Sequence, residues 1–250
     1  MNCLIYDILL IRRRHYKAQN FPATALAGFL GKLPVFEHLN KTELEKMLNR
    51  CRLHALEQRH VMQAAGDPHH HLWVIVTGEI AMVARSEDGE ELTLAIFGPG
   101  STSSWIALFH DTPAERNLVG SAESHILGIP RRVALQLLEE HPKLYPIALK
   151  IEANRFRAAL NLQQHNLVRD RPRRVAGLLL MLLEMSGEGG HSQTIRLTSQ
   201  QLAKMALCSR QSLYQAIKTL ADQGAVIQRY GCIDVIDIDL LRIIYRGNTR

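Results

Sequence analysis

No stretch of this sequence reaches the roughly 18 consecutive apolar residues of a membrane-crossing helix, so no such helix and no membrane partner are expected. Cysteine is scarce: Cys3, Cys51, Cys208 and Cys232 lie far apart, with none of the short spacings of a zinc or iron–sulfur site. Four thiols are also too few for a disulfide scaffold, which leaves reduced cysteines in a cytoplasmic protein as the expectation. Gly-rich phosphate loops, nucleophile elbows and paired-carboxylate motifs are missing, so neither an enzyme nor a bound cofactor is expected. The apolar stretch from Cys3 to Ile11 is broken by Asp7 and followed by Arg12, Arg13 and Arg14, the reverse of a secretory signal. Residues 1–25 therefore read as an N-terminal extension.

What is present is the balance of a globular chain, 46% hydrophobic and 22% charged, with 250 residues to divide between one large domain or two ordinary ones. The net charge of +6 is unevenly spread. From Asp170 onward 11 Lys/Arg face 7 Asp/Glu, whereas the preceding 169 residues hold 19 and 17. An acidic partner is thus expected at the C-terminal segment.

Periodicity divides the chain. Residues 26–60 read as helical, with Leu44, Met47, Leu48 and Cys51 at helical spacing behind Asn40 or Thr42 as cap. From Val61 the pattern changes to short strands: Leu72–Val76, Ile80–Ala84 and Leu92–Ile96, with a hairpin turn at Asp88-Gly89. Further strands run between Val119 and Ile129, with turns expected at Gly120 and Gly128. Many short strands at close spacing imply a β-barrel or sandwich. Residues 131–169 read as helical again. A stripe of Leu144, Ile147, Ile151, Asn154, Ala158, Asn161, His165 and Val168 resembles a coiled-coil seam and predicts a homodimer. A second stripe, Tyr145, Leu149, Phe156, Leu160 and Leu167, occupies another face and would lie on the helix's own domain. Asp170 and Pro172 start a further helix, strongly apolar from Val175 to Met185.

The segment Leu197–Val226, LTSQQLAKMALCSRQSLYQAIKTLADQGAV, carries the most information. Thr198 and Gln201 form a capping box for a short helix, and Ser209 caps a second one. In that second helix Leu213, Ala216, Ile217 and Leu220 point inward. Arg210, Gln211, Tyr214, Gln215 and Lys218 are left on the outer face. Arg suits a guanine edge, Gln an adenine edge, and Lys a phosphate. Val226–Arg229 and Cys232–Ile236 flank Tyr230-Gly231 as a hairpin wing, which adds Arg229 to the surface expected to touch double-stranded DNA.

In CSRQSLYQAIKTLADQG and GDPHHHLWVIVTGEI the chain resembles the Crp/Fnr superfamily, over roughly residues 27–245. The resemblance implies an α+β architecture: a cyclic-nucleotide-binding-like sensor β-roll (26–137), a long dimerisation helix (138–169) and a C-terminal winged helix-turn-helix (170–250). It implies a homodimer on a near-palindromic operator, a small-molecule effector of unspecified identity, and contact with RNA polymerase if the chain activates transcription. The helix-turn-helix of the family often carries Gly in the turn, where this chain has Leu207. A left-handed leucine costs about 1–2 kcal/mol, so a differently shaped turn is expected.

The same resemblance places an effector pocket at Gly100, Ser103, Ser104, Trp105, Arg116 and Asn117. Arg116 aligns with the arginine that holds a cyclic phosphate. Ser104-Trp105, however, replaces the Gly-Glu pair that takes the ribose hydroxyl, and Asn117-Leu118 replaces the hydroxyl-bearing pair. Loss of the ribose acceptor costs on the order of 1.5–3 kcal/mol, so cyclic AMP is not the expected effector. His69, His70 and His71 suggest a metal site, but neighbouring strand residues face opposite ways and at most two could share an ion. Solvated loop histidines, and no metal, are the expectation; a haem ligand among them is the alternative.

Overall fold

The computed structural model describes residues 22–85, 91–167, 170–185, 194–195, 197–229 and 231–247. The chain opens with α1 (Ala23–Leu30) and α2 (Lys41–Leu48). Asn40, not Thr42, caps α2: its side chain accepts from the Glu43 amide at 3.0 Å, while the Glu43 carboxylate accepts from the Asn40 amide at 2.7 Å. Helical structure then stops short of the expected residue 60. Arg52–Leu56 is strand β1, and His60–Gln63 is β2. The polar identity of alternate residues hides the period of β1. Leu53 packs toward the helices, while His54 stacks edge-on against Trp73 and Leu56 joins the core between the sheets.

Next come β3 (His71–Thr77), β4 (Ile80–Arg85), β5 (Glu91–Phe97), a 3-10 turn (Ile106–Phe109), β6 (Asn117–Gly120) and β7 (Ser124–Pro130). They form two stacked sheets, β1-β7-β3 and β2-β6-β4-β5, with antiparallel neighbours throughout. Strand β3 is apolar without interruption because both of its faces are covered. Trp73 and Ile75 point between the sheets with Ile80, Phe97 and Ile126, whereas Leu72, Val74 and Val76 meet Leu30, Phe36 and Leu138 of the helical layer. Gly120 and Gly128, expected as turns, lie in strands β6 and β7. A Cβ at Gly128 would approach the Trp73 ring to 2.8 Å, so this glycine makes room for the indole instead of turning the chain. The Asp88-Gly89 turn lies outside the described residues.

The expected helix over 131–169 is two helices, α3 (Arg131–Glu140) and α4 (Leu144–Leu167). Pro142 disfavours helical backbone at the preceding residue, and His141 sits at φ −128°, ψ 74°. The two stripes of α4 face the opposite ways to those expected: the one read as a seam lies inward and the one read as lying on the chain's own domain points outward. Leu144 is fully buried in the β-roll core, Ile147 and Ile151 pack against that core, and Ala158 belongs to the core of the C-terminal unit. Asn154 is half-buried and Asn161 exposed. The side chain of His165 and all of Val168 fall outside what is described. The outward stripe is Tyr145, Leu149, Phe156 and Leu160, with Leu149 68% and Phe156 67% exposed. The inward face is set by the need of one helix to lie on two cores, and the small Ala158 lets it approach the second.

The C-terminal unit is built around α5 (Arg171–Met185), whose Val175, Leu178, Leu179 and Leu182 are buried. Around it stand β8 (Thr194–Ile195), α6 (Ser199–Met205), α7 (Arg210–Asp222), β9 (Val226–Arg229), β10 (Cys232–Val235) and α8 (Ile238–Arg246). The strands pair in the order β8-β10-β9. Strand β5 of the β-roll touches α5 and α6, and Ile96 packs against the core of this unit. Among the described residues no helix is long and apolar enough to cross a membrane.

Candidate nucleic-acid interface and sensor segment

Helices α6 and α7 present the expected polar face from a well-fastened base. The Thr198 hydroxyl accepts from the Gln201 amide at 3.2 Å, and Gln201 Oε1 accepts from the Thr198 amide at 2.9 Å. The Ser209 hydroxyl accepts from the Ser212 amide at 3.2 Å, capping α7. Leu213, Ala216, Ile217 and Leu220 are buried beneath α7, while Arg210, Gln211, Tyr214, Gln215 and Lys218 are exposed along one side of it.

The turn between these helices keeps its tight shape despite Leu207, contrary to the expectation above. Leu207 adopts φ +49°. Its amide donates to Lys204 O at 3.1 Å and the Cys208 amide to Ala203 O at 3.0 Å, the paired bonds of a Schellman ending. Those bonds, together with the burial of Ala206 and Leu213 on either side, hold the leucine in a left-handed conformation with its side chain 64% exposed. Burial raises the Cys208 thiol above its ordinary pKa, and nearby Arg174 and Arg171 only partly offset this.

Arg229 projects from β9 with its Nε 2.8 Å from the Asp234 carboxylate on β10, and Thr194 donates to the other oxygen of Asp234 at 2.6 Å. In the first turn of α5, Arg173 donates to Tyr245 O at 3.2 Å and Arg174 to Ala206 O at 3.4 Å, so these cations brace the unit from within.

The sensor residues fall into separate surroundings. Residues 100–103 run beside β3: Gly100 donates to Ile75 O at 2.9 Å, and the Ser103 amide donates to Trp73 O at 2.7 Å. The Ser103 hydroxyl accepts from the Trp73 amide at 2.9 Å. Trp105 is turned into the helical core beside Phe36, its indole N–H donating to the Thr102 hydroxyl at 2.9 Å. Ser104 is half-buried. Arg116 is exposed and pairs with its own neighbour Glu115 at 3.6 Å, and Asn117 accepts from the Ala65 amide at 2.7 Å to fasten a loop. Two side chains with no role in the sequence reading complete this segment. Glu152 and Arg155 of α4 reach residues 102–105 and bond to them. Their signal was a charged i, i+3 pair continuing the spacing of Leu144 and Ala148.

Among the described residues no cluster of three or more His, Cys, Asp or Glu could hold a metal. His69 is bonded to Gln63 at 2.9 Å, and His71 stacks on Trp73 with ring centroids 4.8 Å apart. His70 lies between them on the lead-in to β3, exposed.

A sensor β-roll joined by a long helix to a winged helix-turn-helix, with a polar recognition face free for a ligand, defines a DNA-binding regulator. The comparisons give its family. The family model of the cyclic nucleotide-binding domain matches residues 53–141, and that of the Crp-like helix-turn-helix domain matches residues 173–244. The chain belongs to the Crp/Fnr superfamily of transcription regulators. It is similar to the CRP-like cAMP-activated global transcriptional regulator of Mycobacterium tuberculosis, 24% identical over 198 residues that cover 78% of this chain and 88% of the relative. The cyclic AMP receptor protein of Thermus thermophilus is 26% identical over 217 residues, or 86% and 97% of the two chains. In fold it is similar to the solved structure of FixK2 from Bradyrhizobium japonicum, with a TM-score of 0.61 at 15% identity over 77% of this chain and 96% of that one.

Proposed function

We propose that this regulator works as a homodimer that reads a near-palindromic operator through α7, and that its effector is not cyclic AMP. The observation that carries the DNA reading is the exposed face of α7, with Ser209 fixing its N-terminus and four apolar residues anchoring its back. In this motif the N-terminal turn of the recognition helix enters the major groove. Arg210 is the candidate for a guanine O6 and N7, Gln211 and Gln215 for adenine or neighbouring bases, and Lys218 for phosphate. Tyr214 lies on the same face. Thr198, at the start of α6, is a backbone-positioning candidate. Arg229 would reach DNA from the wing only by sharing or leaving Asp234.

What supports the dimer is the outward stripe of α4. Leu149, Ala153, Phe156 and Leu160 follow steps of four, three and four residues, and all four are exposed in the single chain. Such spacing forms a coiled-coil seam, and uncovered apolar stripes of this kind mark interaction surfaces. Two copies paired along it would carry two recognition helices, spaced for half-sites about one helical turn, roughly 34 Å, apart. Contact with RNA polymerase belongs to the same reading if the chain activates transcription, as does the division into a sensor (26–137), a connecting helix (138–169) and a DNA reader (170–250).

The two relatives above carry cyclic AMP in their names. Against that ligand here stand the Ser104-Trp105 pair in place of Gly-Glu, the burial of Trp105 in the helical core, and the outward position of Arg116. The deciding experiment is selection of bound duplexes from a random pool, followed by affinity measurements with and without cyclic AMP. A recovered inverted repeat whose affinity is indifferent to the nucleotide is the expected result. Half-sites without symmetry, or a strong response to cyclic AMP, would contradict it.

A further inference from the structure

Glu152 is 8% exposed, on the inward face of a helix whose other buried side chains, among those described, are all apolar. Its Oε1 accepts from the Trp105 amide at 2.7 Å and from Arg155 Nη1 at 3.1 Å. The Arg155 guanidinium reaches the Thr102 carbonyl at 2.6 Å and the Ser103 carbonyl at 3.3 Å, and lies 4.9 Å from the centre of the Phe97 ring. A carboxylate removed from water is costly unless it is paired and hydrogen-bonded, and here both conditions are met by groups of residues 102–105 and by Arg155. A backbone N–H and a guanidinium converging on one buried oxygen are also the donors with which a protein holds a small anion. The anion in this case is part of the chain.

We propose that Glu152 is a built-in ligand of the β-roll: its carboxylate occupies an anion position at residues 102–105 and docks α4 there without a diffusible effector. The position of this contact along the helix matters. Leu144 and Ala148 precede it in the β-roll core, and Ala158 follows it in the DNA-reading unit. Six residues separate Glu152 from Ala158, about 9 Å of helix, so a shift of α4 at Glu152 is passed rigidly to the seat of α5. This inference takes the regulator reading as its setting, but carboxylate occupancy is testable without DNA.

Glu152→Ala leaves the Trp105 amide and Arg155 facing a space the size of a small carboxylate. In the full-length variant, titration with acetate at constant ionic strength, with chloride as control, is expected to change Trp105 fluorescence saturably, whereas the wild type stays silent. Trp73 is the other fluorophore, so the titration is repeated in a Trp73→Phe background. Affinity for a duplex selected by the wild type is expected to fall roughly tenfold in Glu152→Ala, within the usual range of coupling between linked sites, and to recover with acetate. Glu152→Gln keeps the shape and an acceptor oxygen but no charge. Wild-type DNA affinity in Glu152→Gln overturns the proposal, also if Glu152→Ala fails to fold. So does a folded Glu152→Ala that ignores acetate in fluorescence and in DNA binding. A wild type that selects no duplex would instead count against the DNA-binding reading, and the fluorescence arm would still decide the role of Glu152.

Discussion

Arg229 and Asp234 are diagonal neighbours across the wing, β9 to β10, with Nε and Oδ2 2.8 Å apart. The pair holds the guanidinium back along the strand and cancels its charge where the wing would approach a phosphate. Asp234→Asn removes the negative partner, keeps the shape, and leaves an acceptor for Thr194. The expected outcome is tighter binding to all duplexes alike, with the salt dependence steepened by about one counterion per subunit. Titrations at several salt concentrations check this. An unchanged slope would mean that Arg229 stays away from DNA.

Arg210 and Lys218 should separate by the kind of loss they cause. Arg210→Ala is expected to cost about 1–3 kcal/mol and to relax preference at one base pair of each half-site. Lys218→Ala should weaken every sequence equally and lower the salt slope by about one per subunit. A library of operator variants measured at several salt concentrations distinguishes them. Equal weakening of all sequences by Arg210→Ala would refute its role in base reading.

The exposed and buried stripes of α4 make opposite predictions. Phe156→Glu, on the outward face, should yield a folded monomer in sedimentation at micromolar concentration with little change in melting temperature. Leu144→Ala, in the β-roll core, should leave the assembly unchanged and cost about 2–5 kcal/mol of stability. A Phe156→Glu protein that remains dimeric would send the seam elsewhere.

Leu207 bears a backbone cost that glycine does not. At φ +49° and with its side chain largely in water, its replacement by Gly should relieve about 1–2 kcal/mol of left-handed strain and give part of that back through the freer unfolded chain. Leu207→Gly is therefore expected to raise stability by roughly 1 kcal/mol, read from denaturant midpoints. A lower midpoint would show that the leucine side chain contributes contacts in the assembled protein.

Four histidines share one direction of shift. Burial lowers the pKa of His54, His69, His71 and His125 below the ordinary 6.5. Arg52, His71 and His60 add to the effect at His54, His110 and Arg131 at His69, and His70 at His71. The unfolded chain binds protons at these sites before the folded one does, so stability is full above pH 6.5 and is lost as pH falls through the lowered values. Melting temperature should drop between pH 7.5 and 5.5, and the His54→Gln, His71→Gln double variant should flatten that drop. A pH-independent melting temperature in the wild type would contradict the shifts.

The C-terminal unit was the most legible part of the sequence because its signals are local. Thr198 with Gln201, and Ser209 ahead of an amphipathic run, specify helix starts within four residues of themselves, and α7 lies where those caps put it. Features that depend on distant partners were harder to read. Strand β1 carries Arg52 and His54 on the face it turns between the sheets, and only β7 and Trp73 make that a strand. Gly128 reads as a turn until the Trp73 ring is placed over it. The two stripes of α4 are similarly apolar in one dimension, and what assigns them is the position of two cores that the helix's own sequence does not encode. Glu152 went unnoticed for the same reason: its partner is a backbone amide 47 residues away.

Ile96 and Phe97 are consecutive, and a strand sends consecutive side chains to opposite sides. Phe97 lies between the sheets with Arg155 above its ring, while Ile96 lies on the core of the DNA-reading unit. A single peptide unit is thus clamped from both sides by different domains. A pivot of the end of β5 that loosens one clamp must tighten or drag the other, because the peptide plane between them does not bend. The β-roll and the DNA reader are in this sense geared rather than tethered. Lengthening the segment between β4 and β5 would leave the gear intact, whereas inserting one residue between Ile96 and Phe97 would put both side chains on the same face and disengage it.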